Sequence, residues 1–287
     1  MHRSCLLVLT LLVLPLLAPS ANADTLNTAD PFAVLAGSTV TNAAYATIIN
    51  GDIGVSPGTA VTGFPPGIVS GTIFTGTNAV VLQAQIDLTN AFITEAGLGS
   101  TGAIVGGDLT GLTLGPGVYT VPAAVSNLAG TLYLSDGGVA GSQFVFQMST
   151  TLITSPNSTI DVSGLSPSDS LFWVVGSSAT LGVNSAFQGN ILALTDINFD
   201  PGATIACGRA LARNGQVTFA GQEPTSLIQN QVSIGCLGTT GEGGGGFNGS
   251  GGPPVPTPEP GTLLLLGTGI VGLVGKSWMR RASARTA

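Results

Sequence analysis

The chain has 287 residues, only 7% of them charged, and a formal net charge of −7. Between residues 24 and 259 it contains fourteen acidic and two basic residues, a balance of −12, and neither histidine nor lysine. This excludes Ser-His-Asp and Cys-His catalysis, histidine metal sites, Walker-type phosphate binding and lysine Schiff-base chemistry. It also excludes nucleic acid and anionic membranes as expected partners, because both require clustered Lys and Arg.

A secretory signal peptide is predicted for residues 1–23. Arg3 precedes an apolar run over residues 6–18, and residues 21–23 read Ala-Asn-Ala, a small-x-small cleavage site. A membrane anchor is the alternative, but the apolar run is shorter than the ~20 residues that a span requires. We therefore expect the mature protein to begin at Asp24.

One domain of many short strands is predicted for residues 24–237. Turn signals divide it into runs of four to seven residues: SPG at 56–58, GPG at 115–117, SDGG at 135–138, SPNS at 155–158 and DPG at 200–202. The runs alternate with period two, so one set of side chains lines a core and the other forms a flat outer face. The predicted inward set is Ala179, Leu181, Val183, Ala203, Ile205, Val217 and Phe219. The predicted outward set is Thr180, Gly182, Asn184, Thr204, Ala206, Gln216 and Thr218.

Residues 77–96 depart from this strand pattern. From Asn78 onward the segment lacks Gly and Pro, and its inward residues recur at spacings of three and four: Val81, Ala84, Leu88, Ala91, Phe92 and Glu95. We predict one long helix, with Asn78 as N-cap and Gly97 as the stop. One helix among many strands suits a β-solenoid with a helix along its side, although composition does not distinguish this from a β-sandwich. No fixed-period repeat is visible, so irregular coils are expected.

Two cysteines, Cys207 and Cys236, remain after removal of the signal peptide. In an exported chain they are a candidate disulfide, with free buried thiols as the alternative. Residues 238–258 form a Gly-rich linker that becomes Pro-rich toward its end.

The last predicted segment is residues 259–287. The motif Pro258-Glu259-Pro260 stands at its start, and a 15-residue apolar stretch and then four basic residues come after the motif. It resembles the PEP-CTERM sorting signal of Gram-negative bacteria. The resemblance implies a transient inner-membrane anchor that an exosortase cuts near Pro258–Pro260, with passage to the cell surface or extracellular matrix. The basic cluster would keep its end of the chain in the cytoplasm. An ordinary single-span anchor is the alternative.

Six pieces spread over residues 30–220 resemble the ice-binding domain of bacterial and fungal antifreeze proteins and adhesins. They read FAVLAGSTVTN at 32–42, GDIGVSPGTAVTGFPPG at 51–67, AQIDLTNAF at 84–92, GDLTGLTLGPGVYT at 107–120, LFWVVGSSATLGVNSAFQGNILA at 171–193 and ATIACGRALARNGQVTF at 203–219. The resemblance implies an all-β dominated fold, a discontinuous right-handed β-helix with one long helix packed alongside. It also implies an exported ice-binding protein, neither an enzyme nor a cofactor binder, whose partner is the ice crystal surface.

Stacked strands repeat every 4.7–4.9 Å, close to oxygen spacings in ice, and Thr carries a hydroxyl and a methyl on a stiff β-branched stem. An array of such groups can order a layer of ice-like water, whereas long charged side chains would disturb it. The candidate ice-face residues are Thr131, Thr151, Thr180, Asn184, Thr204 and Thr218.

Two other classes of function remain open. One is a surface or biofilm-matrix adhesin without ice affinity, bound to extracellular polysaccharide, which aromatic or charged residues on the flat face would favour. The other is a carbohydrate-active enzyme that uses paired acids, since β-helices can do so without histidine. The candidates for that chemistry are Asp161, Asp196, Asp200, Arg209 and Arg213. Asp-rich turns could bind calcium, but no Asp-x-Asp-x-Asp loop or Gly-Gly-x-Gly-x-Asp repeat occurs, so no metal site is predicted.

Overall fold

The structure, a computed structural model, describes residues 25–43, 47–122, 125–220 and 230–234. They belong to one compact unit, Met1–Gly252, and a second unit, Pro253–Ala287, lies outside the described residues. The predicted domain boundaries at 23, 237 and 258 also lie outside them. Within the described ranges there are 22 β-strands, one α-helix and one short 3-10 helix, so the fold is dominated by β-structure, as predicted. No helix in these ranges is both long enough and apolar enough to cross a membrane.

The strands form three faces, and within each face neighbouring strands are parallel. The helix-side face consists, in spatial order, of β8 (Gly102–Ala103), β10 (Gly117–Val121), β13 (Gln143–Met148), β16 (Ser170–Val175), the second halves of β18 (Ala186–Ala193) and β20 (Thr204–Ala212), β1 (Phe32–Ala36), β4 (Asp52–Val55) and β7 (Ile73–Thr75). The seven-strand face consists of β11 (Val125–Leu128), β14 (Thr151–Thr154), β17 (Ala179–Leu181), β19 (Ile197–Phe199), β21 (Val217–Phe219), β2 (Thr39–Asn42) and β5 (Ala60–Thr62). The third face consists of β9 (Thr113–Leu114), β12 (Thr131–Ser135), β15 (Thr159–Gly164), the first halves of β18 and β20, β22 (Gln231–Ser233), β3 (Ile48–Asn50) and β6 (Ile68–Val69).

The chain visits the faces in a repeating order, from helix-side face to seven-strand face to third face. Strands β13, β14 and β15 make one such circuit, and the next begins with β16 beside β13. Stacking is not in chain order, however. The first strand, β1, pairs with β20 near the end of the domain. The N-terminal circuits therefore stack on the C-terminal one, which makes the stack discontinuous along the sequence.

Helix α1 (Ala79–Ala96) carries the chain from one end of the stack to the other, because it follows edge strand β7 and precedes edge strand β8. Its 18 residues span about 27 Å, enough to cover most of the nine-strand helix-side face. The side chain of Asn78 accepts a bond from Val80 N, and the helix ends at Gly97, as predicted. The predicted inward residues are buried except for half-buried Phe92, and Asp87 is an additional buried position.

The inward side chains of the three faces form one core, in which aromatic rings stack from circuit to circuit. Ring centroids lie 5.4 Å apart for Tyr119 and Phe146, 4.2 Å for Phe146 and Trp173, and 5.0 Å for Trp173 and Phe187. Trp173 Nε1 donates to the carbonyl oxygen of Gln188 at 2.8 Å. Aromatic pairs add about 0.5–1.5 kcal/mol each beyond their buried area. This ladder holds successive circuits in register.

Strands β18 and β20 pass from the third face to the helix-side face at a bend that only glycine fits. Gly189 and Gly208 pair there, with φ values of +90° and +146°. A Cβ on Gly208 would lie 2.0 Å from the carbonyl oxygen of Gly189. The close approach lets each of these strands serve two faces.

A buried arginine fastens the N-terminal segment to the stack. Arg209 Nε donates to Asp30 O at 2.7 Å, its Nη2 forms an ion pair with Asp30 Oδ1 at 2.7 Å, and its Nη1 donates to Asn190 Oδ1 at 2.9 Å. The Asp30 side chain is 33% exposed, but the Arg209 side chain is only 2% exposed, so removing Asp30 would leave a desolvated charge, a loss that costs up to about 3–5 kcal/mol when both partners are buried. The segment before β1 is therefore held firmly between the stack and α1.

A second core lies between the helix-side face and α1, and its polar boundary includes Glu95. Gln143 Nε2 donates to both carboxylate oxygens of Glu95, at 3.2 and 3.1 Å. Burial raises the pKa of Glu95 to about 7, although hydrogen bonds from Thr25 and Gln143 oppose the shift. Near the helix end, Gln147 Nε2 donates to Glu95 O at 2.8 Å and to Leu98 O at 2.9 Å.

Replacing Glu95 with Gln should weaken the dependence of stability on pH. Because the pKa in the folded protein is raised, the folded state holds the proton more tightly, and stability falls as pH rises from about 4.5 to about 7. At 1.36 kcal/mol per pKa unit, this loss is at most about 3 kcal/mol. We expect E95Q to unfold at a higher temperature than the wild type at pH 8 and to differ less at pH 5. Thermal unfolding at both pH values measures this.

Asp87→Asn is the matched control. Burial raises the pKa of Asp87, but hydrogen bonds from Thr28 and Gln83 outweigh that effect and hold the pKa below its usual value. Stability from Asp87 is therefore present at neutral pH and is lost on acidification, and D87N should destabilise the protein at pH 8. An E95Q variant whose pH dependence equals that of the wild type would contradict this account.

Candidate functional site

The seven-strand face has a continuous central row of outward side chains. Every neighbouring pair of its seven strands is parallel, and none of these pairs shows a register shift. The aligned outward residues, which we call the central row, are Asn127, Ile153, Thr180, Asn198, Thr218, Thr41 and Thr62. At the usual strand spacing this row extends about 28 Å.

The side chains flanking the central row point inward and are buried. Leu152, Ala179, Ile197, Val217 and Val40 are all fully covered. Leu181, Phe199 and Phe219 form the parallel inward row on the other side, and the Phe199 and Phe219 rings lie 4.6 Å apart. The buried rows hold the short strands against the core, so the outward side chains stand on a rigid base.

Charge is absent from the central row, and two nearby carboxylates accept hydrogen bonds from backbone N–H groups, one on a neighbouring circuit and one in a local turn. Asp196 Oδ1 accepts a bond from Gln216 N at 2.9 Å. At the far end, Asp108 Oδ1 accepts a bond from Thr110 N at 2.9 Å, and this bonding by Thr110 lowers the pKa of Asp108. Both carboxylates therefore accept hydrogen bonds from backbone N–H groups near the ends of strands.

The third face also carries an aligned outward row, but it is less uniform. That row consists of Thr131, Thr159, Ala186, Thr204, Gln231, Ile48 and Ile68. Beside it, Tyr133 pairs with Asp161, and Tyr133 is 44% exposed. Register shifts interrupt the pairing of β12 with β15 and of β18 with β20. The third face is therefore interrupted by an aromatic ring, an acid and the register shift between β12 and β15, whereas the shift between β18 and β20 lies at the bend toward the helix-side face.

The six candidate residues from the sequence do not share one face. Thr151, Thr180 and Thr218 lie on the seven-strand face, with Thr180 and Thr218 in its central row. Thr131 and Thr204 lie on the third face. Their separation follows from the winding, since alternation along a strand shows that a residue points outward but not toward which side.

The predicted position of Asn184 is wrong. Strand β17 ends at Leu181, and Gly182 is buried where the chain turns, its N–H donating to Thr154 Oγ1 at 2.9 Å. Asn184 has a φ of +55°, and its Oδ1 is buried without a hydrogen-bond partner. Asn184 therefore belongs to the corner between two faces and does not share an outward row with Thr180. The inward assignments of Ala179, Leu181, Ala203, Ile205, Val217 and Phe219 are confirmed, whereas Val183, also predicted inward, is only half-buried at this corner.

Five residues of the central row were not selected from the sequence: Asn127, Ile153, Asn198, Thr41 and Thr62. A usable signal exists, because Thr39-Val40-Thr41 and Ala60-Val61-Thr62 each place an outward Thr after an inward Val. Stacking of these N-terminal strands on the C-terminal ones is what adds them to the same row.

The residues considered for an enzyme are not brought together. Asp161 lies on the third face and accepts a bond from Ser163 N, which lowers its pKa, whereas Asp196 lies at the start of β19. The carbonyl oxygen of Asp200 accepts a bond from Asn230 Nδ2 at 2.8 Å. Arg209 is buried in its ion pair with Asp30. Within the described ranges, no three His, Cys, Asp or Glu side chains are grouped so that they could hold a metal ion.

Cys207 is buried on β20 and is disulfide-bonded. Its predicted partner, Cys236, lies outside the described residues, so the pairing of these two cysteines stays a prediction.

The model of the ice-binding-like family matches residues 34–225, which contain α1 and every strand except β22 and the first two residues of β1. The chain belongs to the ice-binding-like family. The PEP-CTERM protein-sorting motif matches residues 256–281, in agreement with the sequence prediction. Among family relatives, an ice-binding protein of Nostoc sp. (strain HG1) is 42% identical over 257 residues, which cover 90% of this chain and 87% of the relative.

Solved structures of ice-binding proteins have the same fold. One from the Antarctic ascomycete Antarctomyces psychrotrophicus aligns with a TM-score of 0.66 at 38% identity, covering 73% of this chain and 97% of the other. One from an Antarctic biological consortium aligns with a TM-score of 0.66 at 39% identity, covering 77% and 95%. The similarity thus extends over nearly the whole of each solved chain.

Two neighbouring residues of this family member test the register of the seven-strand face. Ile153 is outward and 38% exposed, whereas Leu152 is fully buried. We expect Ile153→Thr to change the free energy of unfolding by no more than about 0.5 kcal/mol. Leu152→Thr should cost about 2–5 kcal/mol, because it leaves a cavity and buries a hydroxyl. Chemical denaturation measures both; equal losses would show that the assigned register is wrong.

Proposed function

We propose that the protein binds ice, and that the seven-strand face is the surface that contacts the crystal. The observation that carries this proposal is the central row, in which uncharged side chains, all but one of them Thr or Asn, repeat over seven strands without a register shift. Membership of the ice-binding-like family and relatives named ice-binding proteins support the same conclusion.

The chemistry of the central row suits an ordered water layer. Four of its seven residues are Thr and two are Asn, so hydroxyl and amide groups recur at the strand spacing of about 4.7–4.9 Å. The β-branched Thr side chain has restricted χ1 rotation, so each hydroxyl and methyl keeps a defined position. Water bound along such a row adopts the repeat of the strands and can join a growing crystal.

The seven-strand face suits this role better than the third face. Its pairing is regular, and its central row contains neither an aromatic nor a charged residue. The third face has a register shift between β12 and β15 and carries Tyr133 and Asp161, which interrupt a flat water layer. The candidates Thr151, Thr180 and Thr218 are therefore retained for ice contact, and Thr131 and Thr204 serve as comparison positions.

We also infer that the three faces wind as a discontinuous right-handed β-helix. Connections between parallel strands are right-handed in about 98% of cases, because the strand twist favours that hand. All pairs between the named strands here are parallel. In such a helix the seven-strand face and the third face are neighbouring flat sides of one rigid stack, and each carries its own outward row.

Replacing Thr180 or Thr218 with Tyr should abolish most ice-growth inhibition. Each bulky ring would stand within the central row and displace ordered water, while the buried neighbours Ala179 and Val217 remain in place. Because the change is on the surface, the free energy of unfolding should shift by no more than about 0.5 kcal/mol. Thermal hysteresis, ice-crystal shape and thermal unfolding are measured on each variant.

Thr131→Tyr is the matched control, since Thr131 occupies an equivalent outward position on the third face. We expect T131Y to inhibit ice growth like the wild type. If T131Y abolishes activity and T180Y and T218Y do not, the third face is the ice-contacting surface. A wild-type protein that neither shapes nor slows ice crystals would overturn the proposed function and favour the adhesive alternative.

We infer that the protein acts outside the cell. The sorting-motif match at residues 256–281 supports processing by an exosortase and a secreted or surface location. Residues 1–23 fit a signal peptide, and the short apolar stretch at 261–275 fits a transient inner-membrane anchor.

The mature protein should lack residues 1–23 and everything after about Pro260. Intact-mass spectrometry of protein released from the cell surface measures both ends. Glu259→Ala should block C-terminal cleavage if the Pro-Glu-Pro motif is recognised, and the uncleaved chain should stay with the membrane fraction. A surface-released protein that retains Lys276 through Ala287 would contradict this processing.

A further inference from the structure

A groove lies where α1 meets two corners of the stack, beside the seven-strand face. One corner holds Ser56 and Pro57, between β4 and β5, and the other holds Arg213 and Asn214, between β20 and β21. The groove has a volume of about 370 Å³, which is within the range of sites for small ligands.

The corners that form the groove are fixed by backbone hydrogen bonds. Arg213 N donates to Ala193 O at 2.9 Å, and Ser56 N donates to Ala36 O at 3.0 Å. Both acceptors lie on strands of the helix-side face. The groove is therefore built on rigid elements, which reduces the ordering cost of binding.

Arg213 is the main polar group in the groove. Its Nε donates to Thr89 Oγ1 on α1 at 3.1 Å, and both residues line the groove. The other basic residue of the exported part, Arg209, is ion-paired with Asp30. Among the described residues, Arg213 therefore has the only basic side chain without an acidic partner. A guanidinium in this setting favours a planar carboxylate, which it can hold through two parallel hydrogen bonds.

Amides and apolar side chains complete the groove. Gln85 lines it, and its Nε2 is buried without any hydrogen-bond partner, so this amide can gain a hydrogen bond only if its side chain turns toward the groove. Asn90 adds an exposed amide that can both donate and accept, as sugar hydroxyls require. Leu82 and Ile86, 41% and 54% exposed, provide apolar surface for the C–H side of a sugar ring.

Acidic groups on the surrounding elements do not compete for Arg213. On α1, the Asp87 carboxylate accepts bonds from Thr28 and Gln83, and Glu95 accepts bonds from Gln143. On β4, Asp52 accepts a bond from Thr72 N at 2.7 Å. The negative charge of the domain weakens attraction of a polyanion at long range, but salt screens this beyond about 8 Å.

We propose that this groove binds a carboxylated sugar unit of an extracellular polysaccharide, with Arg213 holding the carboxylate and the flanking amides holding hydroxyls. The site is separate from the central row of the seven-strand face, so its failure leaves the ice-binding proposal intact. Binding here would hold the protein in an acidic matrix while the seven-strand face remains free.

The test uses the full protein with isotope-labelled arginine and amide side chains, titrated with a short oligoglucuronate. The Nε–H resonance of Arg213 should shift and saturate, whereas a neutral glucan of equal length should leave it unchanged. Arg213→Gln should weaken binding about tenfold or more, read from the side-chain amide of Asn214, because it removes a charge-assisted hydrogen-bond pair. Asn90→Trp, which fills the groove without altering Arg213, should weaken binding similarly, and Thr218→Tyr should not.

Titrations with acetate and with an oligoglutamate test whether the groove recognises a sugar carboxylate or any carboxylate. Both should bind at least about tenfold more weakly than the oligoglucuronate, because neither supplies ring hydroxyls to the amides. If acetate binds as tightly as the oligoglucuronate, the groove is a simple carboxylate site. If the oligoglutamate binds as tightly or more tightly, the ligand is an acidic peptide. Either result overturns the proposal. An unshifted Arg213 resonance, or R213Q or N90W variants that fold by circular dichroism and bind like the wild type, would also overturn it.

Discussion

The parallel register between successive circuits determines where the outward side chains of the strands lie. One strand in register places a single Thr outward, but seven strands in register place a row of them at one spacing. The inward rows enforce this alignment, because a slip by one residue would move the whole buried set to the surface. The aromatic ladder from Tyr119 to Phe187 strengthens the same alignment inside the core. The proposed ice contact thus depends on the packing of groups that never touch water.

Helix α1 and the N-terminal segment cover the helix-side face of the stack. The helix-side face carries outward apolar residues such as Val145, Phe172 and Leu211, which would otherwise be exposed. Covering them restricts the exposed sheet surface to two faces with different character. The buried ion pair of Arg209 with Asp30 and the bond from Thr28 to Asp87 fasten the covering elements. These charged side chains therefore hold structural elements together, and the central row remains uncharged.

The depletion of charge has two physical consequences that support each other. Long ionic side chains are strongly hydrated and mobile, so their absence leaves room for an ordered water layer. A compact stack with little charge also relies on hydrophobic burial and backbone pairing for its stability. Arg213, which in the described part of the chain has no acidic partner, lies outside the central row, at a corner beside the seven-strand face. A polar ligand held there would leave that face free for ice.

Much of this protein could be predicted from its sequence alone, because the deciding forces are local. Apolar spacing located α1, Asn78 and Gly97 set its ends, and period-two alternation assigned most inward residues, such as Val217 and Phe219. Alternation did not locate corners, so Asn184 was assigned to a strand that ends at Leu181. Nor could it show that Thr131 and Thr204 face away from Thr180, or that Thr41 and Thr62 join Thr218 in one row. Those relations depend on the order in which distant circuits stack, a long-range pairing that only the tertiary structure decides.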